Sequence, residues 1–381
     1  MTRSFIRWTA FAEGATTSLV SAALVLGAFV PQLGWLSVAG ATAVPVFTLW
    51  FCVLALVSLA PSVVAIRLGL RAGFASAALS AAALLGTLAI LFALLEMAAE
   101  SGTTVDVPAS LSFAGLDRDR PDVTDVYMTA GGEPLRIDVY MPPVRAAAGG
   151  NPVLLYVHGG GWYQGGRADG SSDLRWFAER GFVVLSPDYT LATDSIHPWD
   201  VVPTEIACAM AWTAAHATTF DLNLGRFAVG GDSAGATLAI NAAYSDPSSS
   251  CGPVPQVDAV VAASPIVDPI TTWNNDTARF MLRQYTGGSP QQFPDRYRAI
   301  SSFTYIHAGA PPALIMNGSH DHLVPPRETL DFATAARARG VDVSQVIVPF
   351  ADHSFDLTFG SIAHQVKLMV FARFLRDHLG A

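Results

Sequence analysis

The chain has 381 residues, a net charge of -9 and only 14% charged residues, whereas soluble globular chains usually carry about 25%. The charge deficit indicates that part of the chain lies outside water. The acidic balance and the single lysine, Lys367, exclude a nucleic-acid-binding protein, because phosphate neutralisation needs clustered Lys and Arg.

The charge deficit is concentrated in the first hundred residues. No charged residue occurs between Glu13 and Arg67, and a second uncharged run extends from Ala72 to Leu95. A helix needs about 20 apolar residues to cross the hydrocarbon core of a bilayer. We therefore predict a transmembrane module over residues 1–100. Its spans are predicted at residues 16–36, 44–66 and 74–97, with short connectors at 37–43 and 67–73.

The positions of four arginines predict the orientation of this module. Arg3 and Arg7 precede the first span, and Arg67 and Arg71 lie between the second and third. The positive-inside rule then places the N-terminus in the cytoplasm and everything after the third span outside it. A cleaved signal peptide and a buried soluble bundle are the alternatives. We expect an integral, multi-pass protein of a bacterial cell membrane, in contact with membrane lipids and with its second part extracytoplasmic.

Three cysteines occur, and no Cys-x-x-Cys spacing predicts a zinc site or another metal centre. Cys52 lies within an apolar run. Cys208 and Cys251 are either two buried thiols or one disulfide, and the compartment decides between the two. An extracytoplasmic second part favours the disulfide.

From residue 122 onward, apolar strands alternate with helical patterns, which predicts an α/β fold with a largely parallel sheet. Strands are predicted at 123–129, 135–140, 152–157, 182–186, 226–230, 257–263, 313–317 and 343–348. Helices are predicted at 173–180, 202–217, 233–244, 329–339 and 362–379. Residues 269–311 are too long for a simple connection, so we predict a lid or cap insertion there, although its aromatics are equally suited to packing a small helical excursion. Residues 101–121 are expected to be a linker or partial cap.

The strongest motif is Gly231-Asp232-Ser233-Ala234-Gly235, between an apolar strand and a helix. This context is typical of a nucleophile elbow, in which a sharp turn exposes the serine and glycines relieve the crowding. Ser233 is the predicted nucleophile.

A second motif, His158-Gly159-Gly160-Gly161-Trp162, directly follows an apolar strand. Consecutive glycines let backbone N–H groups approach a carbonyl oxygen, so Gly159, Gly160 and Ala234 are the predicted oxyanion hole. A simple strand-ending turn is the alternative for the glycines. We expect a structural hydrogen-bonding role for His158. Three further residues, taken as candidates for the substrate pocket, are Trp162, Asp232 and Tyr189.

A serine nucleophile needs a histidine base, and the base is oriented by an acidic residue. The chain order expected for this motif is Ser, Asp, His. Asp321 and His353 both follow predicted strands, where open α/β sheets place their sites. His353 is the predicted base, so activity should fall as the pH drops through a pKa near about 6.5. Asp268 and Asp352 are alternative acids. The competing histidines have less suitable contexts: His307, His320, His322 and His364.

These motifs, with Ser186-Pro187-Asp188-Tyr189, resemble the hormone-sensitive-lipase-type (family IV) carboxylesterases from about Asp122 to the C-terminus. The resemblance implies an eight-stranded α/β-hydrolase sheet, no cofactor, and hydrolysis of carboxylic esters with short or medium acyl chains. It also implies a cap built partly by residues before the sheet. Here the sequence departs from the family, because that region is apolar and only residues 101–121 remain for a soluble cap.

We expect a two-step acyl transfer through an acyl-enzyme, acting on a small-molecule or lipid ester. The short tether after Met97 favours a membrane-soluble or envelope-derived ester. The alternatives are an amidase or acyltransferase with the same triad, or a catalytically inactive hydrolase fold used for binding. The sequence does not decide the natural substrate or the oligomeric state.

Overall fold

The computed structural model describes residues 3–144 and 149–380. The chain folds into two compact units, which we call the helical unit and the sheet unit. The helical unit comprises Met1–Ala114, Gly318–His322 and Val348–Lys367. The sheet unit comprises Gly115–Asn317, Leu323–Ile347 and Leu368–Ala381. The two short segments of the helical unit therefore come from the far end of the chain.

The helical unit begins with five helices, which are α1 (Arg3–Phe29), α2 (Trp35–Val46), α3 (Thr48–Arg67), α4 (Gly73–Glu100) and the short α5 (Val107–Ser110). Helices α1, α3 and α4 are long and apolar enough to cross a membrane, judged by length and composition. Three such helices were predicted, and their number is confirmed. Residues 101–121 contain α5, and Ala114 forms a β-bridge with Phe359 of the same unit.

The predicted connector at residues 37–43 is wrong, because these residues lie within helix α2. The first helix ends at Phe29 instead of continuing to Leu36. The turn is fixed by Gly34, with φ 61°, and by Ser37, whose hydroxyl donates to Val30 O (2.7 Å) and accepts from the Leu33 amide (2.8 Å). A polar side chain thus caps a turn inside an uninterrupted apolar run, which composition could not reveal.

Small polar side chains form the inside of this bundle. The hydroxyls of Ser58 and Ser80 are 2.7 Å apart, as are those of Ser62 and Ser76, and all four residues are buried. Large apolar side chains lie outside, for example Phe92, which is 69% exposed. Small residues at helix contacts with large apolar residues outside are the pattern of helices that pack in lipid.

The sheet unit contains an eight-stranded sheet of order β1-β2-β4-β3-β5-β6-β7-β8. The strands are β1 (Val123–Ala130), β2 (Glu133–Tyr140), β3 (Asn151–Val157), β4 (Val183–Pro187), β5 (Leu222–Asp232), β6 (Ala259–Ala263), β7 (Ala313–Gly318) and β8 (Val343–Val348). Strand β2 pairs antiparallel with β1 and β4, whereas β4, β3, β5, β6 and β7 run parallel in that order. The α/β-hydrolase fold class is therefore confirmed, and every residue of β3 is buried, as expected of a central parallel strand.

Five of the helices outside the insertion were predicted, with ends that differ by a few residues. They are α6 (Ser171–Ala178), α7 (Val202–Ala215), α9 (Ala234–Tyr244), α13 (Pro326–Arg337) and the C-terminal α14 (Ile362–Leu379). The short helix α8 (Ala217–Phe220) was not predicted. The insertion at 269–311 contains α10 (Pro269–Thr272), α11 (Asp276–Thr286), α12 (Pro294–Ile300) and a 3-10 helix (Ser302–Tyr305). Cys208 of α7 and Cys251 form a disulfide, which settles the alternative left open by the sequence.

Candidate active site

Ser233 lies at the turn between β5 and α9 in a strained backbone conformation. Its φ of 52° and ψ of -118° lie in a region that residues with a side chain rarely adopt. The Ser233 amide donates to Ala263 O (2.7 Å), and its carbonyl accepts from the Thr237 amide (3.1 Å). Strand β6 and the first turn of α9 thus hold the serine from both sides, which is the geometry of a nucleophile elbow.

The two glycines of the motif are required by a close approach of backbones. A Cβ at Gly231 would lie 2.5 Å from Val157 O. A Cβ at Gly235 would lie 2.1 Å from Val157 O and 2.3 Å from His158 O. Because these atoms are backbone at and just after the end of β3 and cannot rotate away, the elbow packs against β3 only with glycine at these two positions.

The glycine-rich loop after β3 passes beside the serine. A Cβ at Gly159 would lie 3.5 Å from Ser233 Cβ and 3.0 Å from Asp232 O. Gly160 has φ 102°, and its carbonyl accepts from the Tyr163 and Gln164 amides in a tight turn. Ala234 is the first residue of α9, where amides have no partner within the helix. These positions suit an oxyanion hole, in which backbone donors face a developing negative charge.

His158 and Tyr189 support this loop from inside. Their rings stack at 4.2 Å, and the Tyr189 hydroxyl donates to His158 O (3.3 Å) and Gly159 O (3.2 Å). Burial lowers the pKa of His158. Both side chains are buried, so Tyr189, a candidate for the pocket, here fixes the carbonyls of the loop.

Trp162 is also buried, with its ring stacked on Tyr285 of α11 at 4.7 Å. A Cβ at Gly161 would lie 2.3 Å from the Met281 sulfur of the same helix. The insertion at 269–311 therefore packs against the glycine-rich loop. Asp232, the third pocket candidate, is partly exposed at the end of β5.

Asp321 and His353 are held together in the helical unit. Asp321 Oδ2 lies 2.8 Å from His353 Nδ1, with the Asp321 side chain fully buried and the His353 side chain 17% exposed. Burial acts to lower the pKa of His353, but the charge and hydrogen bond of Asp321 outweigh it, with help from Asp352 and Asp356. The net result is a pKa raised above its usual value, as suits a base paired with a carboxylate.

The competing acids have other partners. The Asp352 carboxylate accepts from the amides of His322 (2.9 Å) and His353 (2.7 Å), and it faces His322 Nδ1 at 3.1 Å. Asp268 caps α10 by accepting from the Ile270 and Thr271 amides. Asp321 is therefore the acid that meets the His353 ring, while Asp352 bonds to the backbone on either side. The position of Asp352 next to His353 in the sequence did not reveal that its carboxylate bonds to these two backbone amides.

The competing histidines are likewise engaged elsewhere. His364 is buried in α14, where its Nδ1 accepts from the Gly360 amide (3.1 Å). The centre of the His320 ring lies 5.9 Å from that of the Phe350 ring, and burial lowers the pKa of His320. His307 Nδ1 accepts from the Gly309 amide at 3.2 Å.

Comparison with known proteins agrees with this fold. Residues 137–335 match the family model described as BD-FAE. The chain is 28% identical over 266 residues to the esterase LipQ of Mycobacterium tuberculosis, an alignment that covers 68% of this chain and 62% of that protein. It is 32% identical over 236 residues to the esterase LipC of the same organism, covering 58% of each. The chain thus spans about three fifths of the length of these relatives.

Among solved structures, an esterase of Thermogutta terrifontis, Est2 with propionate bound, superposes with a TM-score of 0.57 at 24% identity. The match covers 67% of this chain and 93% of that one, and it shows a shared fold. The family model matches more than half of the chain. The chain therefore belongs to the BD-FAE family, within the α/β-hydrolase superfamily.

Proposed function

We propose that the chain is a serine carboxylesterase that hydrolyses small-molecule or lipid esters through Ser233, His353 and Asp321. The observation that carries the proposal is the strained Ser233 beside Gly159, in a chain that also pairs a buried Asp321 with a partly exposed His353. The similarity to LipQ, LipC and the Thermogutta protein, all of which are named esterases, supports the same activity.

In the first step, neutral His353 takes the proton of Ser233 as the hydroxyl attacks the ester carbonyl. Because His353 Nδ1 donates to Asp321, the other ring nitrogen carries the lone pair and acts as the base. The carbonyl oxygen becomes an oxyanion, which the amides of Gly159, Gly160 and Ala234 stabilise. One such donor typically contributes about 2.7–4 kcal/mol of transition-state stabilisation.

In the second step, the imidazolium of His353 gives its proton to the leaving alcohol, and the acyl group remains on Ser233. Water then loses a proton to His353 and attacks the acyl-enzyme, and the imidazolium returns that proton to Ser233 Oγ as the carboxylic acid is released. Asp321 remains ionised throughout and stabilises the imidazolium. Asp232 is our candidate for a contact with the substrate, whereas the buried Trp162 and Tyr189 are our candidates for support of the oxyanion loop.

The proposed location is a membrane, with the catalytic residues on the extracytoplasmic side. Three helices of sufficient length and the arrangement of small residues inside the bundle support the anchor. The disulfide between Cys208 and Cys251 supports an oxidising compartment. A reporter that fluoresces only in the cytoplasm, fused after Ala381, should stay dark, and a fluorescent fusion contradicts the orientation.

Hydrolysis of a p-nitrophenyl ester series, from acetate to palmitate, tests the function with the full chain in detergent. We expect turnover by the wild type and none above background by Ser233→Ala, with the best chain length giving the size of the acyl site. A folded wild type that hydrolyses no member refutes the esterase. It would favour the amidase, the acyltransferase or the inactive binding module instead.

A further inference from the structure

The acid loop (Gly318–His322) and the base loop (Val348–His353) are tied to each other by hydrogen bonds from backbone amides. The His320 amide donates to Ala351 O (2.9 Å), and the Phe350 amide donates to the Ser319 hydroxyl (2.7 Å). A Cβ at Gly318 would lie 2.2 Å from Ala351 O, so the two loops cross without space for a side chain.

The side chain of Asp352 also links the two loops. Oδ1 accepts from the amides of His322 and His353, the residue after the proposed acid and the proposed base itself. Only 4% of Asp352 is exposed. A buried carboxylate is costly unless its oxygens are hydrogen-bonded, so these amides are held at a fixed separation.

Helix α2 is hydrogen-bonded to Asp352 as well. The Asp352 amide donates to Ala41 O (3.1 Å), and the Thr42 hydroxyl donates to Asp352 Oδ2 (3.4 Å). The turn before α2 makes two further contacts. The Phe29 ring lies 4.7 Å from that of Phe350, and His322 Nε2 lies 3.4 Å from Pro31 O.

We propose that Asp352 is a positioning residue that fixes the acid and base loops to helix α2, so that the helical module is a working part of the esterase as well as its anchor. The proposal rests on the proposed function, because Asp352 is argued to position His353, the base of that reaction. Helix α2 is too short to be a span, and its contacts with Asp352 give it a separate role.

The test uses the full chain in detergent with p-nitrophenyl acetate as substrate. Asp352→Ala should lower kcat by about 10- to 100-fold with little change in KM, because a displacement of about 1 Å in a catalytic group has effects of this size. Asp352→Asn keeps the Oδ1 acceptor and should recover much of kcat.

A pH profile separates positioning from general support of the fold. The charged and titratable groups around His353 are Asp321, Asp352 and Asp356, with His322 bonded to Asp352 and Lys367 bonded to Asp356. Asp352→Asn removes one negative charge from this set and should move the acid limb of kcat/KM to lower pH. A residue that only stabilises the fold would leave the limb in place.

A glycine pair tests the part played by α2 without altering Asp352. A Cβ at Gly40 would lie 2.3 Å from Leu24 O, so Gly40→Ala forces α2 away from α1. Gly73→Ala is the matched control, because its Cβ would lie 2.9 Å from Ser62 O between α3 and α4. We expect a severalfold loss of kcat confined to Gly40→Ala, and any other pattern overturns the proposal.

Full kcat and an unmoved acid limb in both Asp352 variants likewise overturn the proposal. If these variants do not fold, the glycine pair decides alone. Ser233→Ala in the same preparation keeps the two claims apart. Activity that survives Ser233→Ala refutes the proposed function, whereas its loss beside fully active Asp352 variants refutes only the role of Asp352.

Discussion

The nucleophile and the acid–base pair are positioned in different ways. Ser233 is fixed by residues of its own elbow and by the ends of two adjacent strands, β6 through Ala263 O and β3 through the close approach that two glycines allow. Asp321 and His353 lie 32 residues apart, and their loops bond to residues about 310 positions earlier, in α2. The ends of neighbouring strands therefore position the nucleophile, whereas contacts with a helix near the start of the chain help to position the base.

The largest effect is expected at the acid–base pair. Asp321→Asn should lower kcat by about 10⁴-fold, because the imidazole then loses the carboxylate that selects its tautomer and stabilises the imidazolium. His353→Ala should cost at least as much. Steady-state kinetics with p-nitrophenyl acetate measure both variants. Asp268→Asn, the same exchange at a helix cap, should retain activity, and equal losses at Asp268 and Asp321 contradict the assignment.

A smaller effect tests the elbow. Gly235→Ala should destabilise the protein by about 3 kcal/mol, the upper end of the usual cost of overpacking, because the obstructing atoms are backbone. It should also abolish most activity. Gly225→Ala, in strand β5 before the elbow, is the control, since its Cβ would meet only Asn223 Oδ1 at 3.4 Å. Thermal unfolding of the two variants measures the difference, and equal midpoints show that the elbow is not tightly packed.

The smallest effect is a shift in the pH profile. His353 must be neutral to accept the proton, and its pKa is raised. The acid limb of kcat/KM should therefore have its midpoint above the value of about 6.5 expected of an unperturbed histidine. A limb at or below that value contradicts the Asp321–His353 pairing. The stability that the protein gains from the protonated His353 is fully present below the pKa of His353 in the unfolded chain. It is lost as the pH rises through the raised pKa of His353 in the folded protein.

Much of the sheet and of the elbow could be predicted because each depends on short stretches of sequence. The wholly apolar β3 and the flanking glycines of Ser233 each reflect a local physical requirement. Helix α2 was missed because its residues are as apolar as the spans around it. The support roles of Tyr189 and Asp352 were missed because each depends on partners distant in the chain: Tyr189 contacts the glycine-rich loop, and Asp352 contacts α2.

The most direct test of the central claim is covalent labelling of the full chain with a fluorophosphonate, followed by peptide mass spectrometry. We expect one adduct, on the peptide that contains Ser233, and no adduct in Ser233→Ala. An adduct on another residue, or no labelling of a folded and active protein, contradicts the assignment of Ser233 as the nucleophile.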